Sequence, residues 1–259
     1  MIQVWLNGEL RDAFEARIDP ADRGFTLGDG VFETLKVEDG QIRLLDRHLA
    51  RLRHGLRVLG FAIAETDANL EAAMRDLLVA NAMQNAALRL TVTRGPAPRG
   101  VLPPRDFKPT VLITAGPLPP ELPAARVIVA RGTRRNELSP LSRIKSLNYL
   151  DSILARREAE AAGADDALLL NGAGFVAEAT ASTVFLLVDG ELVTPPVEDG
   201  ALPGIARGEI LRHGRAQEAR VTVEMVARAQ AGVLTNSLSF RGICAIEGRE
   251  LKEERIVLF

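Results

Sequence analysis

A chain of 259 residues with 47% hydrophobic content holds enough apolar material for one large domain or two modest ones with a proper core. Its formal net charge of -2 leaves no basic footprint for nucleic acid and no acidic tail. The single cysteine, Cys244, excludes an intrachain disulfide framework and a cysteine-based metal cluster; the three histidines, His48, His54 and His213, are too scattered to suggest zinc.

The N-terminus, Met1 to Gly8, reads as a strand entering a turn, without the basic start and apolar run of a signal peptide. No apolar run reaches membrane-spanning length, so a cytoplasmic enzyme or binding protein with no membrane partner is expected. Residues 2–10 form a hairpin pattern around Asn7-Gly8. Residues 22–30 are glycine-rich and read as tight turns; no Gly-Lys-Ser/Thr ending follows, so they make no phosphate loop of that type. Residues 31–37 alternate like a half-buried strand, and Asp39-Gly40 turns the chain back.

Leu45, Leu49, Leu52, Leu56 and Leu59 form the stripe of an amphipathic helix, with Arg47 and Arg51 one turn apart on a neighbouring face that, taken alone, reads as solvated. Residues 70–80 read as a second helix. Strands at 88–93 and 110–114 flank a loop in which Arg94 and Arg99 sit on a proline-stiffened backbone, a reasonable place to catch a carboxylate. The proline-rich run at 117–124 can continue neither helix nor sheet. It is read as a linker between domains at 1–116 and 125–259.

A strand at 127–130 precedes a loop to Lys145, which falls just before a helix whose Leu150, Ile153 and Leu154 have the spacing of a buried face. A lone lysine is mostly a solvated surface residue; partly shielded from water, it loses its proton readily and attacks carbonyls. Glu178 lies among small and apolar residues and needs a partner, because an unpaired buried charge is costly. Residues 202–211 read as a turn feeding a helix whose first amides, near Ile205 and Ala206, make an anion site by geometry and dipole. Residues 233–240 end a strand in a cluster of hydroxyls and amides.

Six segments occur in one order along nearly the whole chain. They are Phe-Thr-Leu-Gly-Asp-Gly-Val-Phe-Glu-Thr (25–34), Arg-His-Leu-Ala-Arg-Leu (47–52), Ile-Lys-Ser-Leu-Asn-Tyr-Leu (144–150), Glu-Ala-Thr-Ala-Ser-Thr-Val-Phe (178–185), Pro-Gly-Ile-Ala-Arg (203–207) and Thr-Asn-Ser-Leu (235–238). This order resembles the class IV pyridoxal-phosphate enzymes, the fold-type IV aminotransferases, which include branched-chain and D-amino-acid aminotransferases and aminodeoxychorismate lyase. The resemblance implies a smaller N-terminal and a larger C-terminal α/β domain with pyridoxal 5'-phosphate between them, and a homodimer acting on a small amino substrate.

The same resemblance implies roles. Lys145 would be the Schiff-base lysine and proton shuttle, Glu178 the partner of the pyridine nitrogen, and Tyr149 a contact to the ring's phenolic oxygen. Arg51, the amides of Ile205 and Ala206, and Ser237 would hold the phosphate. Thr34 would assist proton transfer, and Phe32, Arg99 and Asn236 would touch substrate. Thr34, residues 235–238 and residues 136–142 are similar to the lyases and favour that activity. Residues 94–99 resemble the carboxylate loop of D-amino-acid aminotransferases, although Val101 stands where those have histidine; an aminotransferase of D-amino acids or (R)-amines is the alternative. Some relatives carry a terminal helix that this chain is expected to lack. Simple storage of the cofactor would not need a glutamate on the ring nitrogen, which disfavours a non-catalytic role.

Overall fold

Asn7 and Gly8 both take positive φ (50° and 102°), the geometry of a two-residue turn whose twist matches its strands. The turn joins β1 (Gln3–Leu6) to β2 (Glu9–Asp12). The computed structural model describes residues 2–251 and residue 256. It divides into two units, one running through Pro119 and regaining Ile144–Asn148, the other comprising Pro120–Arg143 and the chain from Tyr149 onward. One boundary lies within the proline-rich run, whereas residues 144–148, expected in the domain at 125–259, group with the first unit. The expectation of a missing terminal helix concerns positions outside the described residues. No helix among the described residues is long and apolar enough to cross a membrane.

In the first unit β3 (Gly30–Glu38), β4 (Gln41–Ile42), β5 (Ala86–Thr93) and β6 (Thr110–Gly116) join the hairpin in one sheet of order β2-β1-β6-β5-β3-β4. Every neighbouring pair in it is antiparallel. The segment read as glycine-rich turns contains a short helix, α1 (Arg23–Leu27), because the Asp22 side chain caps the Gly24 amide and Gly28 ends it at φ 69°.

The leucine stripe forms α2 (Leu45–Val58), and α3 (Asp67–Ala80) opens on a capping box between Thr66 and Asn69. Leu49, Leu52 and Leu56 of α2, with Leu70, Met74 and Leu77 of α3, close over Val31, Leu35 and Val37 of β3 and Leu88 and Leu90 of β5. Gly55 allows the approach of α2: a Cβ there would lie 2.9 Å from Val31.

The second unit is built on β7 (Ala125–Val129), β8 (Asp166–Leu170), β9 (Val176–Ala179), β10 (Thr183–Val188) and β11 (Glu191–Thr194). It continues with α5 (Ile205–Arg212), β12 (Gln217–Glu218), α6 (Val223–Arg228), β13 (Ala231–Thr235), β14 (Phe240–Ile246) and β15 (Arg249–Glu250), after α4 (Leu150–Ala161) between β7 and β8. The sheet order is β12-β11-β10-β13-β14-β7-β8-β9, with β15 on β14. Its β14-β7 and β7-β8 pairs are parallel, and the β7-β8 crossover carries α4.

The buried face of α4 is a correction to the sequence reading. Leu150, Ile153 and Leu154 are 74%, 50% and 50% exposed, whereas Ser152, Ala155 and Ala159 are buried. Ala155 and Ala159 meet Ala130, Ala167 and Leu169, so helix and strand approach closely through small side chains and the large ones are left outside. Replacing Ala159 by Leu therefore overfills this contact and is expected to cost about 1–3 kcal/mol in urea unfolding; an unchanged midpoint would mean that α4 packs through its leucines after all.

Candidate cofactor and active site

Lys145 is placed by backbone pairing. The Phe32 N–H donates to the Lys145 carbonyl (2.9 Å) and the Leu147 N–H to the Gly30 carbonyl (3.0 Å), so residues 145–147 lie against the start of β3. Asn148 adds a side-chain bond from Nδ2 to the Gly28 carbonyl (3.2 Å). Ile144 and Ser146 are buried, and the half-buried Lys145 between them points the other way. Its Nζ lies 4.5 Å from the centroid of the Phe32 ring. The same ring carries the guanidinium of Arg89, 3.8 Å from its centroid, and Arg89 pairs across the strands with Thr34. Phe32 and Thr34 thus share one sheet face with Lys145 and Arg89. Sequence reasoning missed Arg89; the alternation of Leu88, Arg89 and Leu90, which turns it away from the core, is the signal available for it.

The opposite face of β3 carries a buried charge cluster. Arg51 donates from Nε and Nη2 to the two oxygens of Glu33 (2.8 and 2.7 Å), and His48 Nδ1 lies 2.7 Å from Oε2. Read alone as a solvated face, Arg51 is instead buried, because α2 turns it and His48 inward onto a carboxylate beside the leucine core. Burial works to raise the Glu33 pKa, but the hydrogen bonds from Arg51 and His48, with the charge of Arg51, hold it below the ordinary glutamate value.

Of the two loop arginines, Arg94 is not available to a substrate: it is buried, with Nε on Asp29 Oδ2 (2.8 Å) and Nη2 on the Leu59 carbonyl (2.7 Å). Arg99 is exposed. Burial tends to raise the Asp29 pKa, and its bonds to Arg94 and Arg23 bring it below the ordinary aspartate value instead.

In the second unit Glu178 finds its partner in Arg135, whose Nε is 3.0 Å from Oε1, while the Leu202 N–H donates to Oε2 (3.0 Å). Arg135 was not anticipated, since nothing in its local pattern marks it. Leu202 leads into the start of α5, where Gly204 is the N-cap and supplies no side-chain cap to the first amides, those of Ile205 and Ala206. A Cβ on Gly204 would lie 2.9 Å from Thr183 Oγ1. Thr183 pairs with Thr235 across β10 and β13, and Thr235 Oγ1 is buried without a hydrogen-bond partner among the described residues.

Ser237 follows in a turn that Asn236 builds: its Oδ1 accepts from the Leu238 and Ser239 amides (2.8 and 3.0 Å), and its Nδ2 donates to Ser182 (3.2 Å). Glu178, Ile205, Ala206, Asn236 and Ser237 are therefore gathered at one end of this sheet. Open amides, an orphaned hydroxyl and a Cβ-free corner suit the phosphate of a cofactor, and a carboxylate fixed at both oxygens suits a ring nitrogen. Tyr149, half-buried, is the N-cap of α4.

The family model described as amino-transferase class IV matches residues 30–246. The chain is 31% identical over 220 residues to D-alanine aminotransferase of Bacillus licheniformis, covering 82% of this chain and 74% of that one. It is 30% identical over 243 residues to aminodeoxychorismate lyase of Bacillus subtilis, covering 91% and 83%. The crystal structure of a branched-chain aminotransferase from Thermoproteus uzoniensis with norvaline superposes with a TM-score of 0.90 at 29% identity, covering 98% of this chain and 90% of that one.

The depressed Glu33 pKa has a signed consequence. Its contribution to stability is present above the unfolded value of about 4.3 and is lost as pH falls through the lower folded value. Glu33→Gln is expected to flatten that part of the acid limb and to cost about 3–5 kcal/mol at neutral pH, because the buried Arg51 charge loses its carboxylate. Chemical unfolding across pH 3–7 tests both (roughly the window set by the carboxylate values).

Proposed function

From the premise that this chain belongs to the class IV aminotransferase family, whose enzymes use pyridoxal 5'-phosphate, we propose that it transfers the amino group of an α-amino acid to a 2-oxo acid. When bound, the cofactor supplies an aldehyde for the amine and a ring that takes up the electron pair left as the Cα proton departs. Lys145 would hold the cofactor and carry that proton. Glu178, oriented by Arg135 and the Leu202 amide, would keep the ring nitrogen protonated. The amides of Ile205 and Ala206, with Thr235, Ser237 and Arg51, would take the phosphate, and Tyr149 the phenolic oxygen.

The observation that carries the reading is Arg89 beside Lys145 on the Phe32 ring. Both half-reactions of a transaminase bring a carboxylate next to the reacting carbon, and one fixed guanidinium near the lysine serves donor and acceptor alike. Arg99 is a second candidate for the same group. Two of the three features similar to the lyases have a structural use instead. Asn236 closes the turn of residues 236–239, and Asn136 closes a turn through the amide of Leu138 and the hydroxyl of Ser142. Thr34 keeps the lyase as a second reading, because its hydroxyl lies on the Lys145 face, where it would help a leaving group depart.

The assay separates them. D-Alanine or an L-branched-chain amino acid with 2-oxoglutarate is expected to yield glutamate; pyruvate and 4-aminobenzoate from 4-amino-4-deoxychorismate, with no glutamate from either amino acid, would establish the lyase instead. Borohydride reduction should fix the cofactor to residue 145, and Lys145→Ala should remove that label and lower turnover by roughly 10²–10⁴-fold or more. Label on another lysine would overturn the assignment.

A homodimer is part of the same proposal. Leu150, Ile153 and Leu154 form an apolar face of α4 in the second unit, with Leu138 and Leu141 also exposed. Light scattering should report twice the chain mass for the native protein, and Leu154→Glu should shift it toward the single-chain mass; a native protein already of single-chain mass would refute the dimer.

A further inference from the structure

We infer that Arg23 is a positioning residue for the substrate carboxylate, because its side chain holds the loop tip that carries Arg99. The inference rests on the reading of Arg99 as a carboxylate contact. The base of the loop is fixed by backbone: the Arg23 N–H donates to the Gly95 carbonyl (2.9 Å), and the Ala97 N–H to the Ala21 carbonyl (3.2 Å). Its tip has no such support from burial, since Val101 and Leu102 are 87% and 88% exposed.

The tip is bonded to Arg23. Nη1 donates to the Gly100 carbonyl and Nη2 to the Val101 carbonyl, each at 2.8 Å. Nε donates to Asp29 Oδ2, also at 2.8 Å, and Arg23 itself is buried. Asp29 is shared with Arg94, whose guanidinium lies 4.5 Å from the Phe61 ring and 5.4 Å from the Phe107 ring. The anchor is thus tied to the packed part of the unit while its fork reaches the two residues that follow Arg99. Only a planar guanidinium meets one carboxylate and two carbonyls at once; a lysine keeps the charge beside Asp29 and loses the fork.

The experiment uses the cofactor-loaded enzyme and three variants: Arg23→Gln, Arg23→Lys and Arg99→Ala. Arg23→Gln is expected to raise KM for an α-amino acid donor about tenfold with a much smaller change in kcat, the signature of lost ground-state binding. A primary amine bearing methyl in place of the carboxylate should show no such rise. Limited trypsin digestion, which needs no turnover, should cut after Arg99 faster in Arg23→Gln than in the parent. If Arg23→Gln is not recovered folded, Arg23→Lys decides the matter, with the same directions expected.

Raised KM in Arg99→Ala beside unchanged KM and unchanged cleavage in both Arg23 variants overturns this inference alone. Unchanged KM in Arg99→Ala removes the reading of Arg99, and this inference with it.

Discussion

Two backbone hydrogen bonds, Phe32 N–H to Lys145 O and Gly30 O to Leu147 N–H, decide where the reactive amine stands. They bring five residues of a distant segment back to the first unit and set them in register with β3. Register then does the rest. Ile144 enters the core under α2, Lys145 turns to the Phe32 face, and Ser146 is buried again. A slip of one residue would send Lys145 into the leucine core and expose Ile144, so burial of Ile144 protects the orientation of the lysine.

The strand that receives this segment separates two environments. On one face Glu33, Arg51 and His48 satisfy one another within an otherwise apolar interior. On the other, Thr34 lies on the face where Lys145 and Arg89 meet the Phe32 ring. Burying charge is tolerable only when every partner is present, so the cluster ties α2 to β3 in one arrangement. Asp29 applies the same rule nearby, with Arg23 and Arg94 as partners. The second unit applies it again, with Arg135 and the Leu202 amide fixing both oxygens of Glu178. In that unit one exception is informative: among the described residues the Thr235 hydroxyl is buried without a hydrogen-bond partner, near the start of α5, where donors to an anion collect.

What the sequence by itself determined is local or nearly so. The Asn7-Gly8 hairpin, the α2 stripe and the helix start at Ile205 follow from turn chemistry and periodicity, which act over a few residues. The order of six motifs identified the family, because each motif keeps its own short pattern. Tertiary structure alone decided the partners. Arg94 and Arg99 look equivalent in a loop, yet one is consumed by Asp29 and the other exposed. Arg51 reads as a surface residue until Glu33, eighteen positions earlier, is set opposite it. The leucines of α4 have a buried spacing but lie outward, because Ala155 and Ala159 are the side chains that Ala130, Ala167 and Leu169 cover. Periodicity says that a helix has two faces; which face is covered depends on what another part of the chain brings against it.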